Sequence, residues 1–148
     1  MKKLGLIGGT GPESTIEYYR QIEYGVQAKT GRFPHLAIES LSVFDVLRFC
    51  DEKDYAGLTA YLLKGFQALA DAGADFACLT GITPHIVFDE ISEKSPIPII
   101  SIVETACERA KMQRVPSGTS EQRQGSSDAA GAAESTESVC CFCRHRIV

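Results

Sequence analysis

Residues Lys3–Thr15, with the sequence KLGLIGGTGPEST, decide the fold of this chain. The apolar run Lys3–Ile7 has the length of a short strand and ends at a cluster of glycines, which permits a tight turn. Pro12 and Glu13 follow, and these residues suit the first turn of a helix and the positive end of its dipole. The stretch therefore predicts a strand, a glycine turn and a helix. The helix would carry an apolar stripe made of Ile16, Tyr19, Ile22 and Val26.

The same alternation of apolar runs and amphipathic segments continues to about residue 111. Three further apolar runs predict strands, and they are Leu36–Val43, Asp75–Thr80 and Ile97–Ile102. Further helices are predicted for Tyr55–Ala72, Pro84–Ser92 and Glu104–Lys111, with a loop or short helical turn over Phe44–Phe49. Strands separated by helices form βαβ units, so the sequence predicts an α/β fold with a parallel four-stranded sheet.

The composition of the chain changes near residue 112. From Pro116 to Ser138 there is no valine, isoleucine, leucine, methionine, cysteine or aromatic residue. Such a stretch buries too little apolar surface to offset a backbone ordering entropy of about 1–2 kcal/mol per residue. We therefore predict one α/β domain over residues 1–111 and an atypical, disordered tail over residues 112–148. A truncated sequence whose native part ends near Lys111, including one continued in a shifted reading frame, would show this break.

Overall composition and charge narrow the class of protein. The 148 residues are 44% hydrophobic and 23% charged, which excludes disorder of the whole chain. No apolar run approaches the roughly 18 residues of a membrane-spanning helix, and the run behind the N-terminal lysines is too short for a signal peptide. The net charge is −4, and the sequence shows no basic face of the kind that nucleic-acid-binding proteins carry. These features predict a cytoplasmic protein that binds neither membrane nor nucleic acid.

The six cysteines are expected to be reduced, because the chain has strong hydrophobic patterning and no export signal. Cys50, Cys78 and Cys107 lie in apolar surroundings and are expected to be small buried side chains rather than nucleophiles. The remaining donors near the C-terminus, Cys140, Cys141, Cys143 and His145, are too crowded to wrap one tetrahedral zinc ion easily. No metal is predicted.

A parallel sheet places ligands beyond the carboxyl ends of its strands, which makes three loops site candidates by position. They are Gly8–Thr10, Phe44–Arg48 and Gly81–His85. The glycine turn departs from the dinucleotide-binding pattern, because Ser14 replaces its third glycine and Glu39 lies too far along to be the usual acidic partner. Its backbone amides, with Thr10, can instead hold a small anion such as a carboxylate. No nucleotide cofactor is expected.

Two of these loops carry polar side chains that have both a functional and a structural interpretation. Arg48 could clamp a carboxylate through bidentate bonds, or form a surface ion pair with one of the acidic residues at 45, 51 and 52. Thr83 could cap a helix with Pro84 at the first helical position. His85 could act as a base, or it could be an ordinary first-turn histidine.

Three segments together resemble the aspartate/glutamate racemase family. They are GGTGPEST at Gly8–Thr15, TGITPH at Thr80–His85 and PIPIISI at Pro96–Ile102. The resemblance covers residues 1 to about 111 and implies a cofactor-independent amino-acid racemase with two similar α/β domains facing each other across a cleft. Each domain would supply one acid/base group, because inversion needs one on each side of a planar intermediate. Family members commonly form dimers, so the resemblance implies two partners, which are the amino-acid substrate and a second copy of the chain in a homodimer.

The resemblance also implies roles for single residues. Thr10 would help hold the substrate carboxylate, and Arg48 would bind a carboxylate, expected to be that of the side chain. The loop after the third strand, usually Cys-Asn-Thr in the family, reads Gly-Ile-Thr here. Thr83 is then the acid/base group, assisted by His85, in a substrate-binding loop that includes Pro84. A hydroxyl is a poorer base than a thiolate, so proton removal in one direction would be favoured, with the cysteine of the other domain as the stronger base.

The sequence thus predicts racemisation of aspartate or glutamate by two-base proton transfer, with this chain supplying the first-domain side of the cleft. The alternative is a non-catalytic module that binds a dicarboxylate or an amino acid. A half-enzyme would also expose apolar surface that normally faces the missing half.

Overall fold

The computed structural model describes residues 1–112, and over that range it confirms an α/β fold built on a parallel sheet. The strands are β1 (Leu4–Gly8), β2 (Leu36–Ser40), β3 (Phe76–Leu79) and β4 (Ile99–Ile100). Their order is β2-β1-β3-β4, so β1 and β3 are central. Every pairing is parallel, which brings the four carboxyl ends to one end of the sheet. The predicted tail, apart from Met112, and its crowded cysteines lie outside the described residues.

The connecting helices are α1 (Pro12–Thr30), α2 (Val43–Asp51), α3 (Tyr55–Asp71), α4 (Phe88–Lys94) and α5 (Ile102–Met112), with a 3₁₀ turn over Thr83–Val87 ahead of α4. The sequence predicts a second strand as far as Val43, but β2 ends at Ser40. Ser42 causes the change, because its hydroxyl accepts a hydrogen bond from the Asp45 amide at 3.4 Å and caps α2. The expected loop or short turn over Phe44–Phe49 is therefore part of a helix.

Helices cover both faces of the sheet, and β1 shows the division residue by residue. All five of its residues are buried. Leu4 and Leu6 join the core cluster that includes residues of α1 and α5, while Ile7 joins the cluster that includes residues of α2, α3 and α4. Neighbouring side chains of a strand point to opposite faces, so a continuous apolar run is what a strand covered on both faces requires.

The first helix buries a different stripe from the expected one. Tyr18, Ile22 and Val26 are buried, whereas Ile16 is 64% exposed and Tyr19 is 45% exposed. The three buried residues follow one another at intervals of four along one face, while Ile16 lies about 120° around the helix from Ile22. The apolar stripe read from the spacing therefore includes two residues, Ile16 and Tyr19, that the fold leaves exposed.

The three cysteines within residues 1–112 differ in exposure. Cys78 is buried, Cys50 is half-buried, and Cys107 is exposed on α5, contrary to the expectation of three buried side chains. The residues from 1 to 112 contain no group of three His, Cys, Asp or Glu side chains that could hold a metal ion. Within the same range, no helix has the length and apolarity needed to cross a membrane.

Candidate active site

The candidate site lies where the two central strands end. The glycine turn, Gly8–Gly11, follows β1, and the loop Thr80–Ile82 follows β3. The backbone joins the two, because the Thr80 amide donates to the Ile7 carbonyl at 3.0 Å. The sheet topology thus brings two of the three predicted loops side by side.

Thr10 lies against Gly81 where these loops meet. A Cβ atom built on Gly81 would overlap the Thr10 hydroxyl oxygen and lie 3.3 Å from the Thr10 Cβ, so position 81 has no room for a side chain while Thr10 keeps this place. The Thr10 oxygen is buried, and no residue of the described range gives it a hydrogen bond. A buried hydroxyl without a partner costs about 1–3 kcal/mol, so a ligand atom that pairs with it would stabilise the site.

His85 contacts the same glycine at its backbone carbonyl. Its Nδ1 lies 3.1 Å from the Gly81 carbonyl oxygen, which can only accept, so Nδ1 carries the hydrogen. The ring stacks on Phe88 with centroids 5.2 Å apart and an interplanar angle of 5°. Burial lowers the pKa of His85, although hydrogen bonds to backbone and the charge of Glu104 act in the opposite direction. The neutral ring therefore presents a lone pair on Nε2, which is buried and unpaired within residues 1–112.

Thr83 and Pro84 open the 3₁₀ turn that carries His85. Thr83 is exposed and is the first residue of the turn, while Ile82 occupies the cap position without a side-chain hydrogen bond. The prediction that Thr83 caps a helix was therefore wrong, because the chain enters the turn one residue earlier. Pro84 is buried within the first turn, where its missing amide leaves no donor unsatisfied.

Arg48 forms a surface ion pair, which is the structural alternative to its predicted role as a carboxylate clamp. Its Nη2 lies 3.2 Å from Asp45 Oδ1, and both side chains are largely exposed. The guanidinium carbon also lies 4.9 Å from the centroid of the Phe49 ring. The structure thus brings Thr10, Thr83, Pro84 and His85 to one end of the sheet, but it engages Arg48 on the surface of α2. Binding a substrate carboxylate would require Arg48 to share or release Asp45.

Two threonines without a predicted role hold the glycine turn in place. Thr15 Oγ1 accepts from the Gly9 amide at 3.2 Å and lies 3.0 Å from both the Gly11 carbonyl oxygen and the Thr80 hydroxyl. The Thr80 hydroxyl donates to the Ile7 carbonyl at 3.0 Å. Thr15 lies four residues after Gly11, and at this spacing a threonine hydroxyl can donate to the carbonyl of the earlier residue. This spacing is the sequence feature that could have indicated the role of Thr15.

The other side of the glycine turn borders a groove of about 410 Å³ between α1 and α2. Apolar side chains form much of its wall, namely those of Ile16, Val43 and Phe44. Ser40 and Ser42 add hydroxyl groups to its lining. The sequence pattern did not indicate this groove, because it depends on Ile16 facing outward and on the early start of α2.

Comparison with known families gives a match over most of the chain. The family model for Asp/Glu/hydantoin racemases matches residues 7–121. The match continues past residue 111, and the domain boundary placed there stays a prediction. A curated relative, the broad specificity amino-acid racemase RacX of Bacillus subtilis (strain 168), is 29% identical over 108 residues, which cover 68% of this chain and 46% of the relative.

Two solved structures of similar proteins share the fold of the described residues. A protein from Yersinia pestis, solved as a candidate Asp/Glu racemase, is 30% identical with a TM-score of 0.72, covering 76% of this chain and 50% of its own. An aspartate racemase homologue from Pyrococcus horikoshii OT3 is 31% identical with a TM-score of 0.67, covering 77% of this chain and 50% of its own. The chain thus spans about half the length of each of these three relatives.

Proposed function

Because the chain belongs to the Asp/Glu/hydantoin racemase family, we propose that it forms the first-domain side of the active site of an amino-acid racemase. The observation that supports this most strongly is the junction at Gly81. There the unpaired hydroxyl of Thr10 and the imidazole of His85 contact one glycine, at the end of the sheet where α/β proteins bind ligands. Both groups are buried, so a polar ligand atom that reached this junction would meet hydrogen-bonding capacity that the described chain leaves unsatisfied.

The proposed reaction replaces the α-proton of the amino acid with a proton on the opposite face, and it uses no cofactor. A base removes the α-proton of the amino acid, and the electron pair of the broken C–H bond passes into the α-carboxylate. An acid on the opposite face then delivers a proton to the same carbon. Each face needs its own acid/base group. In this proposal Thr83 serves the face of this chain, and a cysteine of a second domain serves the other.

Thr83 needs help from a neighbour in this role. Its hydroxyl is exposed at the start of the 3₁₀ turn and so can be reached by a substrate, but a hydroxyl is a weak base. His85 follows two residues later with a neutral ring and a free lone pair, which suits it to accept a proton from a hydroxyl or from the substrate. Pro84, buried between them, restricts the backbone of the turn that carries both groups.

The substrate would be held by its carboxylates. Thr10 and the amides of the glycine turn would bind the α-carboxylate. Arg48 would bind the second carboxylate of aspartate or glutamate after releasing Asp45, and the choice of an acidic substrate depends on that exchange. A homodimeric assembly and a cytoplasmic location likewise stay predictions.

The test is exchange of the α-proton in heavy water. L-Aspartate and L-glutamate are incubated with the chain, loss of the α-proton signal is followed by NMR, and thermal stabilisation is measured in parallel. We expect exchange in the presence of the chain and a loss of about tenfold or more in Thr83→Val. Thr30→Val, which removes a hydroxyl at the far end of α1, is the matched control.

The outcomes separate the alternatives. An exchange rate that is the same in wild type, Thr83→Val and Thr30→Val preparations would point to a contaminating enzyme and contradict the role of Thr83. Thermal stabilisation by aspartate without exchange would instead indicate a binding module. The absence of both thermal stabilisation and α-proton exchange would refute the proposed function.

A further inference from the structure

We propose that Thr15 and Thr80 are positioning residues whose hydroxyls, together the hydroxyl lock, fix the glycine turn to the end of β3 and so hold Thr10 against Gly81. The lock itself follows from contacts within the chain. Its benefit to a bound carboxylate rests on the proposed function.

Thr80 supplies the buried end of the lock. Its side chain is 2% exposed, and its amide and hydroxyl both donate to the Ile7 carbonyl at 3.0 Å. Because the hydroxyl proton is used on Ile7, the Thr80 oxygen is left to accept from Thr15, which lies 3.0 Å away. Thr80 thus extends the pairing of β1 with β3 by one residue and presents an acceptor to α1.

Thr15 supplies the end of the lock that belongs to α1. Its oxygen accepts the Gly9 amide, and its single proton points to the Gly11 carbonyl or to Thr80. A Cβ atom on Gly8 would lie 2.5 Å from Thr15 Cγ2, so the threonine side chain also fills the space that this glycine leaves. One side chain therefore holds both ends of the glycine turn and joins them to the loop after β3.

The lock explains why Thr10 can remain unpaired. Thr15 satisfies the Gly9 amide and contacts the Gly11 carbonyl, so the turn keeps its shape without a hydrogen bond from Thr10. Thr10 is then held beside Gly81 with its buried hydroxyl unpaired within residues 1–112. A group that is already in place loses less conformational entropy on binding, so a locked turn would bind a carboxylate more tightly than a free one.

Backbone amide spectra of the isotope-labelled, ligand-free chain test the lock directly. Thr15→Val keeps the shape of the side chain and removes the hydroxyl. We expect it to shift the amide resonances of Gly81 and His85, which belong to the other loop. Thr80→Val should in turn shift those of Gly9 and Thr10. The proposal would be overturned if Thr15→Val shifted only resonances of α1 and the glycine turn, and Thr80→Val only those of the loop after β3.

Two controls separate positioning from a general loss of stability. Thr15→Ser retains the hydroxyl and should return the resonances of the other loop to their wild-type positions. Thr30→Val removes a hydroxyl that donates to the Val26 carbonyl in the same helix, so it should lower stability without moving those resonances. If Thr15→Val does not fold, the amide resonances of Thr80→Val and Thr15→Ser are compared with those of the wild type instead.

Titration with L-aspartate tests the consequence for binding. We expect Thr15→Val to weaken the apparent Kd by about fivefold or more, with Thr15→Ser and Thr30→Val close to wild type. Wild-type affinity in Thr15→Val would overturn the positioning role. If aspartate binds none of these proteins, the proposed function fails, while the ligand-free spectra still decide whether the lock exists.

Discussion

The two sides of the glycine turn are enclosed to different degrees. Toward β3 the contacts are polar and enclosed, with the Thr15 and Thr80 oxygens 3.0 Å apart and Thr10 against Gly81. Toward β2 the Leu41 amide donates to the Gly8 carbonyl at 3.0 Å, but beside this contact the turn borders an open groove, whose wall residue Phe44 is 80% exposed. Backbone hydrogen bonds thus join the end of β1 to both neighbouring strands, and on the β3 side the hydroxyls of Thr15 and Thr80 also fix the turn itself.

The largest effect on stability is expected from a substitution that adds one methyl group on the enclosed, β3 side of the turn. Gly81→Ala would place a Cβ atom over the Thr10 oxygen, and we expect a loss of about 1–3 kcal/mol in the free energy of unfolding. Urea denaturation measures the loss. Thr10→Ala removes the overlapping oxygen, so the double variant should be closer in stability to Thr10→Ala than additivity predicts. Strictly additive effects would show that Thr10 is not the group that excludes a side chain at 81.

The enclosed side also shows what a sequence can and cannot predict. The continuous apolar run of β1, the glycines after it and the proline at the start of α1 predicted a strand, turn and helix, because each depends on local chemistry. The role of Thr15 depends on Thr80, which is 65 residues away and reaches it only through the order of the strands. Position at the carboxyl ends of strands predicted the neighbourhood of Thr10 and His85, but not their shared contact with Gly81.

The open side was less predictable for a related reason. One hydrogen bond from the Asp45 amide to Ser42 ends the second strand early and begins α2, although the apolar run continues to Val43. The spacing of apolar residues in α1 also fits two adjacent faces, and only packing against the sheet selects Tyr18 over Ile16. Periodicity predicts that a helix exists more reliably than it predicts which face is buried.

A second prediction concerns the charge of the enclosed side. Burial lowers the pKa of His85 below its ordinary value of 6.5 in the folded chain, so the unfolded chain binds this proton more strongly. The free energy of unfolding should therefore fall as the pH is lowered through 6.5 toward the folded pKa, and the negative charge of Glu104 reduces the effect. Thermal unfolding between about pH 7.5 and about pH 5.5 measures this slope.

His85→Asn is the variant that tests this slope. Asparagine keeps a donor for the Gly81 carbonyl but cannot take up the proton, so the slope should become shallower by a fraction of one proton. Thr30→Val, which removes a hydroxyl but no titratable group, is the control and should retain the wild-type slope. An unchanged slope in His85→Asn would show that another group is responsible.

A smaller effect is expected at the ion pair of α2, on the side of the groove. Asp45→Asn removes the partner of Arg48, and because both side chains are largely exposed we expect a stability change of no more than about 1 kcal/mol. If Arg48 binds the second substrate carboxylate, the same variant should bind L-aspartate more tightly and L-alanine unchanged. Isothermal titration with both amino acids provides the comparison, and equal changes for the two would contradict that role of Arg48.

The smallest effect is expected at Phe44, where the groove is most open. Its ring is 80% exposed, so Phe44→Ser removes little buried surface and should change the free energy of unfolding by no more than about 0.5 kcal/mol. This holds although the substitution deletes most of an aromatic ring, whereas Gly81→Ala adds a single methyl group. Urea denaturation of the two variants side by side measures the contrast. A Phe44→Ser chain as unstable as Gly81→Ala would mean that the groove wall is packed in solution and that the two sides of the glycine turn are equally closed.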